Sequence, residues 1–234
     1  MLKARKAGHS GTLDPKVTGL MLIAFNEATK AMTVLMGLVK KYEGIMKVHG
    51  PFRRDQLEQA ARKFEGRITQ TPPRRSAVAR KPRERKVFSL EILSVRESEV
   101  MFRASCEAGT YIRKLCHDIG ELLGTGAHMT ALRRTGIGPF PIREAVNMEQ
   151  LQEKGEAWLF PLEQALERTG LVRAVVPSGL QEKLRNGVSL ELSELKGLPK
   201  KKPEGLFGMY TPEGSLLALA KIEENMAKPE RVFN

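Results

Sequence analysis

An α+β protein is what this sequence predicts: a mostly antiparallel mixed sheet flanked by helices, followed by a small β-rich unit. Three observations lead there. Strand-like alternation and helical periodicity are mixed without strict strand–helix repetition, which argues against a doubly wound parallel sheet. Hydrophobic and charged contents of 41% and 28% are those of an ordinary globular chain, and 234 residues suffice to bury a sizeable core. Finally, the tail from Leu171 onward reads as short strands around one short helix.

In chain order, "NEATKAMTVLMGLVK" places Ala28, Ala31, Met32 and Leu35 at helical spacing, with Asn26 as its expected N-cap. Tyr42 to Val48 reads as a strand with Tyr42, Met46 and Val48 on one face. "DQLEQAARKFEG" is an amphipathic helix through Leu57, Ala60, Ala61 and Phe64, stopped near Gly66. Two strands follow, "KVFSLEILSV" and "EVMFRASC", the second alternating Val100, Phe102, Ala104 and Cys106. A helix starting near Thr110 carries a buried stripe of Ile112, Leu115, Cys116, Ile119, Leu122 and Leu123. Two short helical pieces end at Gly155 and Gly170. Beyond them come a strand, a helix capped by Ser178 and stopped at Asn186-Gly187, and a hairpin of "GLFGMY", the turn "TPEG" and "SLLALAKI". The expected domains are 1–168 and 169–234.

No apolar run approaches the roughly 20 residues of a membrane span, and no signal peptide is recognisable at the start. Cys106 and Cys116 fit neither a disulfide framework nor a zinc site, so a reducing, cytoplasmic setting is expected. The net charge of +12 points to a polyanion, most often nucleic acid. Arg74 to Lys86, "RRSAVARKPRERK", holds seven basic residues and one acid, which is half of that charge. Pro72, Pro73 and Pro82 stiffen the stretch, which suits a phosphate-gripping loop.

The densest chemistry lies in "GHSGTLDPKVTG", Gly8 to Gly19. It lacks the Lys-Ser/Thr pair of a phosphate-binding P-loop. Thr12 stands where a serine-hydrolase elbow needs glycine, so Ser10 with His117 or His128 as base makes a poor hydrolase. A carboxylate nucleophile or base remains: Asp14, held extended by Pro15 and flanked by glycines that let a ligand approach. An aspartate before proline is equally a common turn former. Arg113, at the edge of the apolar stripe, is the candidate partner that would keep the carboxylate ionised, and Tyr42 offers a flat amphipathic ring. His117-Asp118 reads as helix surface, and Lys200–Lys202 as a solvated loop.

"AGHSGTLDPKVTG", "KKYEG" and "GTYIRKLCHDIGELLGTGAHMTALRRT" resemble the TruB-type RNA pseudouridine synthase family, from about Ala7 to Phe140. The compact "TPPRRSAVARKPRERKV" resembles the archaeal branch that works in H/ACA ribonucleoproteins, that of dyskerin, and the tail resembles a PUA RNA-binding domain. The resemblance implies Asp14 as nucleophile, Arg113 as its ion-pair partner and Tyr42 stacking on the target base. It further implies Tyr111 and Leu132 lining the pocket and His9 near the flipped nucleotide. Arg74, Arg75, Arg80, Lys81, Arg133 and Arg134 would then hold RNA phosphates. The reaction isomerises uridine without oxidation or group addition, so neither metal nor organic cofactor is expected. Expected partners are a guide RNA, an rRNA or tRNA substrate and small H/ACA proteins, with no membrane. A stand-alone tRNA uridine isomerase and a non-catalytic RNA-binding remnant are the alternatives. Family members carry a Lys-Pro-Gly strand and a helix before this point; only seven residues precede Gly8, so a shortened N-terminus is expected.

Overall fold

The computed structural model describes residues 4–72 and 81–233. Its strands are β1 (Ala7–His9), β2 (Val17–Gly19), β3 (Ile23–Phe25), β4 (Lys40–Val48), β5 (Gly66–Gln70), β6 (Arg83–Arg96), β7 (Glu99–Cys106), β8 (Ala127–Ile137), β9 (Phe140–Pro141), β10 (Arg173–Val175), β11 (Leu190–Glu191), β12 (Phe207–Tyr210), β13 (Leu216–Glu223) and β14 (Met226–Val232). The α-helices are α1 (Met32–Met36), α2 (Arg54–Arg62), α3 (Ile112–Leu123), α4 (Met148–Lys154), α5 (Leu162–Arg168) and α6 (Gln181–Arg185). The chain divides into two compact units.

One unit comprises Gly11–Met21 and Gly37–Ala145. Its seven-stranded sheet runs β2-β8-β4-β7-β6-β5, with β9 also on β8. Only the β2–β8 pairing is parallel, so the mixed, mostly antiparallel sheet is as expected. Met46, Val48, Val100 and Phe102 form a core with Leu57, Ala60 and Ala61 of α2 and Leu115, Cys116 and Ile119 of α3. Burial pushes the thiols of Cys106 and Cys116 up to about 11 and about 12, leaving both protonated and inert at neutral pH. A Cβ on Gly120 would meet the Ala127 nitrogen at 2.0 Å, so α3 touches the start of β8 only because position 120 is glycine. Leu122, expected in the buried stripe, is exposed: it falls on the outer side of the last turn, whereas Leu123 packs inward.

The other unit comprises Met1–Ser10, Leu22–Met36 and Val146–Asn234. It holds the β1–β3 ribbon and a five-stranded sheet ordered β10-β12-β13-β14-β11. Phe207, Met209, Leu217 and Ala218 form its core with Leu184 of α6 and Leu190. A further cluster joins Ala31 and Leu166 to Tyr210, Leu216, Leu219 and Phe233, so buried contacts span the expected boundary at 168/169. Two expected caps are not made. Asn26 begins a 3-10 turn at φ 50°, and its side-chain oxygen accepts from the Arg5 and Lys6 amides rather than from its own helix. Ser178 likewise opens a 3-10 turn, whose cap position is Pro177. Among the described residues, no helix is long and apolar enough to cross a membrane.

Candidate active site

The loop carrying Asp14 begins with a tight turn. The Val17 amide donates to the Asp14 carbonyl at 3.0 Å, Pro15 fixes the second position, and Lys16 takes the left-handed third position at φ 71°. A non-glycine residue there stores about 1 kcal/mol or more of strain. Turn former and candidate nucleophile are therefore the same residue.

β2 then pairs with β8, setting Val17 opposite Leu132 and Gly19 opposite Arg134. Gly19 has φ 114°, and a Cβ on it would lie 2.3 Å from the Arg134 carbonyl oxygen, so no other residue fits the position. The Arg134 side chain closes the loop from beneath. Its Nε donates to the Leu20 carbonyl (2.7 Å), Nη1 to Thr12 (3.3 Å) and Nη2 to Gly11 (3.1 Å). It lies close enough to the Tyr42 hydroxyl to favour that group's ionised form, and is only 2% exposed. The expectation that Arg134 grips RNA phosphate is thereby corrected: strand alternation turns it inward, and its donors are spent on carbonyls at both ends of the loop. Arg133, its neighbour, is exposed, as is Lys81; Arg74, Arg75 and Arg80 lie outside the described residues.

Arg113, on the first turn of α3, reaches Asp14 with Nη2 2.9 Å from Oδ2, both side chains about 40% exposed (40% and 42%). The Arg113 Nε is buried without a hydrogen-bond partner among the described residues. Tyr111, one residue before α3, is held at both backbone groups by Gln70: its amide donates to Oε1 (2.9 Å) and its carbonyl accepts from Nε2 (3.2 Å). Gln70 is 3% exposed and comes from the end of β5, 41 residues away. Nothing in the local sequence marks this glutamine.

Tyr42 sits opposite Arg134 on β4, with its hydroxyl pKa raised by burial first. Charge on Asp14 raises it too, which places the carboxylate within electrostatic reach of the ring. Leu132, 8% exposed, packs across from Gly44, so the structure gathers Asp14, Arg113, Tyr42 and Leu132 about one loop, with Tyr111 at its edge. His9 is exposed on β1 of the other unit. The histidines considered as bases for Ser10 are otherwise engaged: His117 faces Glu121 at 4.0 Å, and His128 hydrogen-bonds His49 at 2.6 Å. Among the described residues no three His, Cys, Asp or Glu side chains gather as a metal site.

Beside this cluster Lys40 is buried, its pKa lowered to about 8 by burial first and by the Arg134 charge second. Unfolded, the same lysine titrates near its ordinary value, so between about pH 8 and 10.5 the unfolded chain binds the extra proton. The penalty is full below pH 8 and is relieved as pH rises through that window. Wild type is expected to become more stable relative to Lys40→Met by about 1 kcal/mol between pH 7 and 9, read from urea unfolding of both proteins. A constant difference would mean that Lys40 keeps its ordinary pKa.

A mixed sheet thus presents a guanidinium-paired carboxylate beside a tyrosine ring in a strongly basic chain, an arrangement that suits a carboxylate-based enzyme acting on a polyanion. The sequence model of the TruB family pseudouridylate synthase N-terminal domain matches residues 1–51 and 49–112, and that of the tRNA pseudouridylate synthase B C-terminal domain matches 113–172. A probable tRNA pseudouridine synthase B of Methanopyrus kandleri is 40% identical over 227 residues, covering 92% of this chain and 67% of the relative. Its counterpart from Sulfurisphaera tokodaii is 35% identical over 97% of this chain and 71% of its own length. Among solved structures, a Cbf5-Nop10-Gar1 complex matches with a TM-score of 0.85 at 34% identity, covering 99% of this chain and 77% of that one. An H/ACA ribonucleoprotein bound to a substrate RNA containing 2'-deoxyuridine matches at 0.80 and 31% identity, again over 99% of this chain and 77% of that one. The chain belongs to the TruB family of RNA pseudouridine synthases.

Proposed function

We propose that this chain isomerises uridine to pseudouridine as the catalytic subunit of a guide-RNA ribonucleoprotein of the H/ACA type, acting on rRNA, with Asp14 as nucleophile. The Asp14–Arg113 ion pair at 2.9 Å carries the reading, because the guanidinium holds the carboxylate in a fixed position. The target uridine leaves its stack and its base lies on Tyr42 and Leu132, with Tyr111 at the nucleotide. Attack on the sugar carbon, attack on the base and elimination all start from the same carboxylate. Arg133, Lys81 and the 74–80 stretch supply salt-dependent phosphate contacts.

Guide dependence is supported by the likeness to Cbf5 over 99% of the chain, including the C-terminal sheet. On this reading residues 1–168 are the catalytic domain and 169–234 a PUA-like RNA-binding domain, in a cytoplasmic particle with small partner proteins such as the Nop10 and Gar1 of that complex. The second reading, a stand-alone tRNA isomerase, draws on relatives described as probable tRNA pseudouridine synthase B. A conversion assay separates them, run on tRNA alone and on an rRNA fragment paired to a guide with partner proteins. Conversion is expected only with the guide. Conversion of bare tRNA would establish the second reading, and a folded chain that binds RNA without converting either substrate would be a binding protein.

A further inference from the structure

Just past the end of β4 and at the start of β8, His49 and His128 bring two imidazole rings together across 79 residues of chain. Backbone pairing sets them there. Val48 faces Ala127 in the ladder, and the His49 amide then donates to the Gly126 carbonyl at 3.0 Å. Gly126 has φ 71°, and a Cβ on it would come within 3.1 Å of the His49 Nδ1, so glycine lets that ring lie against the turn. The other ring nitrogen, Nε2, meets the His128 Nδ1 at 2.6 Å, with ring centroids 4.9 Å apart and planes tilted by 41°.

A hydrogen bond between two ring nitrogens needs one imidazole to donate and the other to accept, so at least one ring is neutral. One proton thus lies between two nitrogens that a metal ion can also bind. On metal binding the donating ring moves its proton to its other nitrogen, which leaves both facing nitrogens as ligands. Around a tetrahedral ion, imidazole nitrogens at about 2.0–2.1 Å lie roughly 3.3 Å from each other. Both side chains are exposed, so small side-chain rotations widen 2.6 Å to that separation without repacking the core. Among the described residues no Cys, Asp, Glu or third His joins them, so water completes the shell. The charges nearest in register are Lys47, opposite His128, and Glu99, opposite Lys47 on β7, and their signs offset each other. Imidazole ligands suit zinc, nickel and copper, whereas magnesium, calcium and manganese prefer oxygen.

We infer that His49 and His128 form a two-histidine site for a late first-row divalent metal ion such as zinc, which staples the end of β4 to the start of β8. These strands carry Tyr42 and Leu132, and the ion braces them from the far end of β4. It takes no part in uridine chemistry, and the inference does not depend on that reading.

The test is zinc titration of the full folded chain, followed by calorimetry and by NMR of its four histidine rings. One zinc per chain is expected, with the His49 and His128 ring signals moving together and those of His9 and His117 staying in place. His49→Gln and His128→Gln keep a hydrogen-bonding side chain, and each should weaken binding about tenfold or more, as loss of even a supporting group does. His117→Gln removes the histidine that faces Glu121 on α3 and should leave the affinity unchanged. Magnesium at the same concentration should move neither ring. Zinc should raise the melting temperature of wild type and His117→Gln, but not of the other two variants. Absence of binding by wild type at millimolar zinc overturns the site. Binding lost only in His117→Gln would assign the ion to the α3 pair and overturn it equally. Half an ion per chain, with a doubled mass in ultracentrifugation, would put the metal between two copies and refute the intrachain staple. Should a glutamine variant fail to fold, the wild-type ring signals decide alone: zinc that leaves His49 and His128 unmoved sinks the proposal.

Discussion

Asp14→Asn is expected to abolish uridine conversion, by roughly three orders of magnitude or more, while leaving the fold and RNA binding intact. The asparagine is isosteric, and the turn that holds it depends on the Asp14 carbonyl, Pro15 and the Val17 amide rather than on the carboxylate. What disappears is the charge that Arg113 orients at 2.9 Å. RNA affinity should hold or rise slightly, because a negative charge is removed from a surface that meets phosphate. Single-turnover conversion beside a binding isotherm reads both quantities. Conversion within tenfold of wild type would remove Asp14 from the chemistry.

The second large effect is expected at Arg134. Arg134→Met removes the donors that serve the Gly11, Thr12 and Leu20 carbonyls and leaves the Leu20 oxygen buried and the other two part-buried. Each buried acceptor left unpaired costs about 1–3 kcal/mol, so a loss of about 3–5 kcal/mol in unfolding free energy is expected. Because the two ends of the Asp14 loop are released together, conversion should fall further than RNA affinity. Arg134→Lys keeps the charge and lacks the planar fork, so it cannot span three carbonyls. It is expected to fold and bind RNA but to convert slowly. Urea unfolding and single-turnover rates measure these effects, and wild-type stability in Arg134→Met would mean that the clamp contributes nothing.

The contrast between Arg133 and Arg134 shows where sequence reading stops. As a dipeptide they look like a surface pair beside Leu132. Their fates diverge because β8 is a strand, which sends one side chain out and the other in. That strand was not legible: register shifts opposite Lys41/Tyr42 and Ile45/Met46 break its alternation, and "AHMTALRRT" mixes exposed and buried positions irregularly. Asn26 and Ser178 were misplaced for a related reason. Both are good capping residues, but the chain enters their helices through 3-10 turns, and Asn26 serves the Arg5 and Lys6 amides.

Asp14 lies between these cases. Read from its neighbours alone, it was as much a turn former as a nucleophile; the sequence offered Arg113 as a partner, and the structure brings the two within 2.9 Å.

By itself, then, the sequence determined the mixed α+β class, the α2 and α3 faces that form the core, and a charge suited to a polyanion. These depend on composition and on periodicity over a dozen residues, which local sequence carries in full. Only the tertiary structure decided that Arg134 clamps a loop 114 residues away and that Gln70 fixes Tyr111 across 41 residues. It alone decided, too, that the Arg85 guanidinium lies against Gly109. Each of these depends on which strands become neighbours, and hydrogen bonds between distant strands leave no periodic trace in the chain that makes them.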